Sequence, residues 1–344
     1  MSLSKVVPCR TGVRFLLIAL ISLASLPISL PAQSPAPQLH LVSTAWPPFT
    51  NPPGQPRFAL DLVEEALKRV GVTSGTAIVD EARFTPSLLN GEFDGSAAIW
   101  KDAQRERVLV FSEPYLENRL LLVGRKGSDV SAKTLAALAG KRIVLVGGYS
   151  YGDEVRKGSG PIFIQSRSEE DSLARLLKNE ADYTLMDELV VQNILQNYEE
   201  QARTRLQVGS TPLITRPLHF AIRRSRPGAE ALISRFNSTL QRLVADGTYH
   251  RLLHVDWIRA DVDGDGRKEL VARGEQAGPK PPDRTYDLFA TTPSEPSTPA
   301  KEPRFYVGGS IYESWAAVPE NYKLSNSDAP DPTRSTASIF RFTW

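Results

Sequence analysis

Arg142-Ile-Val-Leu-Val-Gly-Gly-Tyr-Ser150 is the stretch on which the fold turns. Four consecutive apolar residues, three of them β-branched, read as a strand buried on both faces. Gly147-Gly148 ends the strand and leads into a helix start expected at Tyr149-Ser150. Beyond it, Ser168 to Asn179 reads as a helix capped by Ser168, then a strand over Tyr183-Thr-Leu-Met186 and a helix from about Glu188. A further strand covers Leu218 to Ile222. Leu232, Ile233, Phe236, Leu240, Leu243 and Val244 stripe a long helix closed by Gly247. On the N-terminal side, strands are expected at Leu39–Ser43, Gly95–Trp100 and Leu120–Val123. Leu62, Val63, Ala66, Leu67 and Val70 form one helical face before Gly71.

Between about residues 38 and 258 strands and helices therefore alternate, which predicts an α/β protein with mostly parallel sheets covered on both faces. In such sheets ligands sit beyond the carboxyl ends of the strands. The residues there are Trp46-Pro-Pro-Phe49, the run from Trp100 to Arg105, Gly148-Tyr149-Ser150 and Asp187. Free N–H groups at a helix start near Tyr149 and Ser150 would favour a carboxylate or phosphate. Asp187 is placed to receive an ammonium group or to cap the next helix.

The N-terminus carries Lys5, Arg10 and Arg14, no acid, and an apolar run from Phe15 to about Ile28. That run falls short of the roughly 20 residues of a membrane span and fits a signal peptide over residues 1–32, cut after Ala32. The sole cysteine, Cys9, lies inside it without a lipobox, so the exported chain would hold no disulfide. With the leader gone, 38 of the 41 basic residues face 39 acidic ones. That balance supplies no field for nucleic acid or an anionic membrane, and no later run approaches spanning length. A periplasmic monomer is the expectation.

Six motifs in order carry a resemblance: Ala45-Trp46-Pro-Pro-Phe49, Gly91-Glu-Phe-Asp94, Arg105-Glu-Arg-Val-Leu-Val-Phe-Ser-Glu-Pro-Tyr115, Leu138-Ala-Gly-Lys-Arg-Ile143, Asp182-Tyr-Thr-Leu-Met-Asp187 and Ala245-Asp-Gly-Thr-Tyr249. Together they resemble the periplasmic amino-acid-binding family of ABC importers over about two thirds of the chain. The resemblance implies a two-lobed periplasmic-binding-protein-like fold with two hinge crossings, near residues 120–125 and 212–220. One lobe would hold residues 38–122 with 216–258, the other 123–215. It implies a small polar ligand, an amino acid or derivative, delivered to an ABC permease, and no enzymatic activity. Arg105 falls where the family clamps the ligand carboxylate, a job that suits a planar fork of donors. Asp187 matches the carboxylate facing the α-ammonium, Trp46 the stacking aromatic, and Tyr149 and Ser150 the hydroxyl pair of the second lobe. Phe49 and Trp100 complete the expected ligand set.

Ala98 and Trp100 depart from the family, which usually carries small hydroxyl residues there, and Ala59 replaces an acid. Trp100 is large enough to block part of the pocket or to stack on a ring. Two alternatives therefore stand beside transport: a periplasmic enzyme resembling cyclohexadienyl dehydratases, and an orphan sensor. The enzyme needs a positioned acid or base, for which Asp187 and Glu188 are the candidates. His40, His219, His250 and His254 show no ligand spacing and read as structural or surface residues.

The C-terminal third is different in kind. Asp261, Asp263, Asp265 and Glu269 occupy positions 1, 3, 5 and 9 of a loop, Gly266 position 6, and Arg267 a position whose carbonyl can bind metal. This oxygen-rich pattern predicts a structural Ca²⁺ within a 259–275 segment. Ala272 stands at position 12, so the loop resembles dockerin-like or FG-GAP-type loops rather than an EF-hand. Residues 276–303 are proline-rich and read as a linker, and 304–344 as an aromatic segment whose last six residues suit a strand.

Overall fold

The computed structural model describes residues 38–155, 160–253, 257–272, 277–281, 285–287 and 303–323, all within one structural unit. The expected signal peptide, the bulk of the proline-rich segment and the terminal strand lie outside these residues. In chain order the elements are β1 (Gln38–Ser43), α1 (Phe58–Arg69), β2 (Thr73–Ile78), α2 (Glu81–Asn90), β3 (Gly95–Trp100), β4 (Leu109–Phe111) and β5 (Leu116–Arg125). After these come β6 (Arg142–Val146), β7 (Ile162–Ser166), α3 (Glu169–Leu177), β8 (Tyr183–Asp187), α4 (Glu188–Asn197) and α5 (Glu199–Arg205). The chain continues through β9 (Leu206–Arg223), α6 (Ala229–Ala245) and α7 (Thr248–Leu253).

Among the described residues these strands form one sheet in the order β2-β1-β3-β9-β5-β8-β6-β7, with β4 also on β9. The order hides a repeat. In the first lobe β2, β1 and β3 run parallel and β9 closes them antiparallel. In the second, β7, β6 and β8 run parallel and β5 closes them antiparallel. Each lobe therefore has the spatial order second, first, third, crossing strand. The crossing strands pair with each other from Leu116↔Leu218 to Arg125↔Leu206. Their ladder is the link between the lobes. This is the two-lobed α/β fold with two crossings. The strands expected at Leu120–Val123 and Leu218–Ile222 are the short apolar parts of these longer ones. Polar residues such as Asn118 and Thr215 hid the rest.

Local chemistry explains the helices. In α1, Leu60, Leu62, Val63, Ala66 and Leu67 are all fully buried, Asp61 lies in the first turn, and Lys68 and Arg69 lie in the last. That arrangement complements the helix dipole while the apolar face packs on the sheet. Each leucine buried there contributes about 1.5–3 kcal/mol. Ser168 caps α3 by accepting the Asp171 N–H at 3.2 Å. The helix expected from Tyr149 is not present. Gly148 and Gly152 sit at φ 86° and 97°, left-handed conformations that break a helix, and among the described residues a single turn, Asp153–Val155, follows.

The C-terminal third forms its own five-stranded sheet. Its strands are β10 (Trp257–Ala260), β11 (Glu269–Ala272), β12 (Tyr286–Asp287), β13 (Phe305–Val307) and β14 (Ser310–Tyr312), in the order β12-β10-β11-β13-β14. Tyr286 and Asp287, inside the segment read as a linker, pair in parallel with β10. Ile258, Ala260 and Val271 join the main core, whereas Trp257, Phe305 and Val307 pack with Trp315 in a small core of their own. No described helix is long and apolar enough to cross a membrane.

Candidate functional site

The segments following β1, β2, β3 and β6 converge where the lobes face each other. They enclose a cavity of about 40 Å³ lined by Thr44, Trp46, Glu81, Phe84, Trp100, Arg105, Tyr149 and Ser150, among others. This holds about three waters at 10–15 Å³ each, because aromatic rings fill the remainder. The ring of Trp46 stands 5.6 Å from Trp100 at 90° and 5.8 Å from Tyr149 at 66°. Trp100 and Tyr149 are 5.4 Å apart at 79°, and Tyr151 lies 5.6 Å from Trp100. Trp46 and Trp100 belong to the first lobe and the tyrosines to the second, so the rings meet across the cleft. Phe49 is fully buried 4.3 Å behind Trp46 and backs it without lining the cavity.

Arg105 is buried at the floor. Its guanidinium donates to Trp100 O at 2.9 Å, Thr85 Oγ1 at 3.1 Å and, across the cleft, Gly148 O at 3.3 Å. Its Nε lies 3.3 Å from Asp102 Oδ2. Burial lowers its pKa, opposed by the negative charges of Asp102 and Glu81. Ser150 does not start a helix. Its hydroxyl donates to Asp102, a second bridge between the lobes. The Gly148-Tyr149-Ser150 wall is shared with an open cleft of about 720 Å³, whose polar lining includes Lys101, Asp102, Gln165 and Arg216.

Asp187 does not line the inner cavity. Almost wholly buried, it caps α4 by accepting Leu189 N–H at 2.7 Å and also takes Asn118 Nδ2 at 3.0 Å and Arg119 N–H at 3.1 Å. Burial pushes its carboxyl up to about 7, held back by these hydrogen bonds. His219 is likewise buried, with Nδ1 2.8 Å from Ser112 O, and burial drives its pKa down to about 4.

Two glutamates escaped the sequence reading. Glu81 lines the cavity beside Thr44 and Tyr149, and burial pushes its carboxyl up to about 7. Glu169 lies deeper, beside the Trp46 indole N–H, and burial raises its pKa well above the ordinary carboxylate range. Each follows a strand, β2 or β7, whose mixed composition disguised it. Had those strands been recognised, the strand-end rule would have pointed to both.

The acidic loop between β10 and β11 keeps its predicted residues together. Oxygens of Asp261, Asp263 and Asp265 lie within 4.8 Å of one another. Asp261 also accepts the N–H groups of Gly264 and Gly266 at 2.7 and 2.9 Å, shaping the turn. Arg304, just before β13, reaches in from the side. It pairs with Asp265 at 2.9 Å, with Asp263 at 3.6 Å and with buried Glu269, and it donates to Arg267 O at 3.4 Å. Four of the five predicted metal ligands thus contact one guanidinium.

Comparison with known proteins agrees with this architecture. Residues 40–259 match the family described as bacterial extracellular solute-binding proteins, family 3. ABC transporter arginine-binding protein 1 of Escherichia coli K12 is 24% identical over 220 residues, covering 61% of this chain and 86% of that protein. A mutant ArgBP from T. maritima is 26% identical and superimposes with a TM-score of 0.53, over 63% of this chain and 93% of that one. An ancestral arginine-binding protein bound to arginine, 23% identical, gives 0.54 over 64% of this chain and 98% of its own. On this match, and on the repeated lobes and shared crossing strands that underlie it, the chain belongs to the bacterial extracellular solute-binding proteins of family 3.

Proposed function

We propose that this chain is a periplasmic receptor that closes its two lobes around an amino acid or a close derivative and presents it to an ABC permease. The observation that carries the reading is the meeting of Trp46, Trp100 and Arg105 from one lobe with Tyr149 and Ser150 from the other, around one cavity. A ligand enters only if these groups part, and the β5–β9 ladder is the hinge about which they do so. The proposed ligand contacts are Trp46, Trp100, Arg105, Tyr149 and Ser150, with Phe49 as support. Asp187 shapes the second lobe through the α4 cap. The relatives named for arginine binding support a polar, nitrogen-bearing ligand. The test is thermal unfolding against a panel of amino acids and their amines, because a ligand selective for the folded form raises Tm by mass action. A shift with one of them supports the receptor. No shift with any would favour the sensor or enzyme alternatives.

Calcium at the acidic loop is part of the same proposal, with Asp261, Asp263 and Asp265 as its ligands. Arg304 pairs with Asp263 and Asp265 as well as with Glu269 and the Arg267 carbonyl, so the ion and this guanidinium share the oxygens of Asp263 and Asp265. Titration of EDTA-stripped protein with Ca²⁺ should show one site that Asp263→Ala removes. Absence of heat from the wild type would dismiss the ion.

A further inference from the structure

Glu81 and Glu169 occupy the same place in the two lobes. Glu81 opens α2 directly after the second strand of its lobe, and Glu169 opens α3 directly after the second strand of the other. The repeat therefore directs two carboxyls, one from each side, toward the same aromatic cluster. Glu81 lines the cavity, while Glu169 lies beside Trp46 with 5% of its surface exposed.

The charges here do not balance. Neither Glu169 Oε2 nor the neighbouring Trp46 Nε1 makes a hydrogen bond of ordinary geometry among the described residues, although the indole N–H lies close enough to oppose the rise in the carboxyl's pKa. Among the described residues the charged groups acting on Glu169 are Glu170, Asp187 and Glu81, all acids. Among the described residues no ion pair involving it is found. Arg105 faces Glu81, but its terminal nitrogens donate to Trp100 O, Thr85 Oγ1 and Gly148 O, and Asp102 already lies at its Nε. A buried carboxyl without a counter-ion costs free energy, and it meets that cost by holding its proton. Both glutamates carry the mark of this, for burial raises both pKa values. The rings supply the complementary half. Trp46, Trp100 and Tyr149 stand at 66–90° to one another, three walls whose faces attract a cation.

We propose that Glu81 and Glu169 are the counter-ions of a cationic ligand group seated against Trp46, Trp100 and Tyr149, so that the cleft selects an organic cation over neutral or acidic solutes. This rests on the reading of the cleft as the ligand site and adds the class of ligand. The positive group sits between carboxyls from opposite lobes, so lobe closure completes its neutralisation. Binding then drives protons off the glutamates into solution.

Isothermal titration of the full exported chain with arginine, agmatine, glutamine and glutamate tests this directly. At pH 7 arginine or agmatine should bind at least 100-fold more tightly than glutamine and glutamate. Repeating the titration in buffers of different ionisation enthalpy should reveal net proton release. Glu169→Gln and Glu81→Gln should each weaken the cation at least 30-fold and reduce that release. The wild-type ranking needs no variant, so a misfolded mutant cannot decide the outcome. Glutamine or glutamate binding as tightly as arginine and agmatine would overturn the cation assignment and leave the receptor standing. Cation affinity within threefold of wild type in both variants, or no proton release, would also overturn the assignment alone. Binding of none of the four probes, with no Tm shift across the wider panel, would overturn both readings.

Discussion

The indole N–H of Trp100 donates to Asn118 Oδ1 at 2.8 Å, and the same amide donates from Nδ2 to Asp187 at 3.0 Å. A wall of the first lobe's cavity is thus tied, through a fully buried residue of the crossing strand β5, to the helix cap of the second lobe. Asn118→Leu strands a buried indole donor and removes one partner of a buried carboxylate. We expect a loss of about 1–3 kcal/mol in stability, measured by urea unfolding. A change below about 0.5 kcal/mol would show that the chain of hydrogen bonds is not a structural tie.

Arg105 sets the floor of the cavity and spans the cleft to Gly148. Arg105→Ala should retain the circular dichroism of the wild type and lose at least 100-fold in ligand affinity by calorimetry. Unchanged affinity would remove the proposed clamp.

The protonation of Glu81 makes stability depend on pH with a definite sign. Its folded-state pKa of about 7 lies above its ordinary 4.5, so between these values the folded chain binds the proton more firmly. Stability from this group is full at acid pH and is lost as pH rises through 7. Asp187 and Glu169, also raised, act in the same sense, and His219, lowered to about 4, acts in the opposite sense between pH 4 and 6.5, so the wild-type curve alone mixes all four. The comparison with Glu81→Gln isolates the glutamate, whose neighbours are Thr44, Arg105 and Tyr149. The variant should gain on the wild type by about 1–3 kcal/mol between pH 5 and 8, in urea melts without ligand. A difference that is flat with pH would show that Glu81 titrates normally.

Gly95 begins β3 where β9 passes closest. A Cβ built there would lie 2.0 Å from Ala221 O, a backbone atom that cannot swing aside. Gly95→Ala should prise β3 from β9 and cost on the order of 4 kcal/mol or more. Soluble expression with a wild-type Tm would contradict the registered pairing of Gly95 with Ile222.

Arg304 carries the positive charge facing Asp263, Asp265 and Glu269. In Arg304→Ala that acidic cluster faces no guanidinium, so Tm in EDTA should fall and added Ca²⁺ should restore part of the loss. No recovery with Ca²⁺ would mean that the loop is built for Arg304 alone.

The sequence by itself determined the elements whose periodicity is strong. The buried strand at Arg142–Val146, the striped helices α1 and α6, and the Ser168 and Asp187 caps all follow from local patterning and local hydrogen bonding. It also singled out Trp46, Trp100, Arg105, Tyr149 and Ser150, because residues after strand ends are exposed to whatever the sheet binds. β2, with its Thr-Ser-Gly-Thr run, and β7, only partly buried along its length, lack such a pattern. Glu81 and Glu169 were hidden with them. Only the tertiary structure decided that two acids 88 positions apart face one aromatic cluster, and that Arg304 enters a loop nearly 40 residues earlier. Periodicity records which face of an element is buried, whereas the pairing of charges depends on how separate elements are brought together. That information lies in the β5–β9 crossing and the lobe repeat, which no local window of sequence contains.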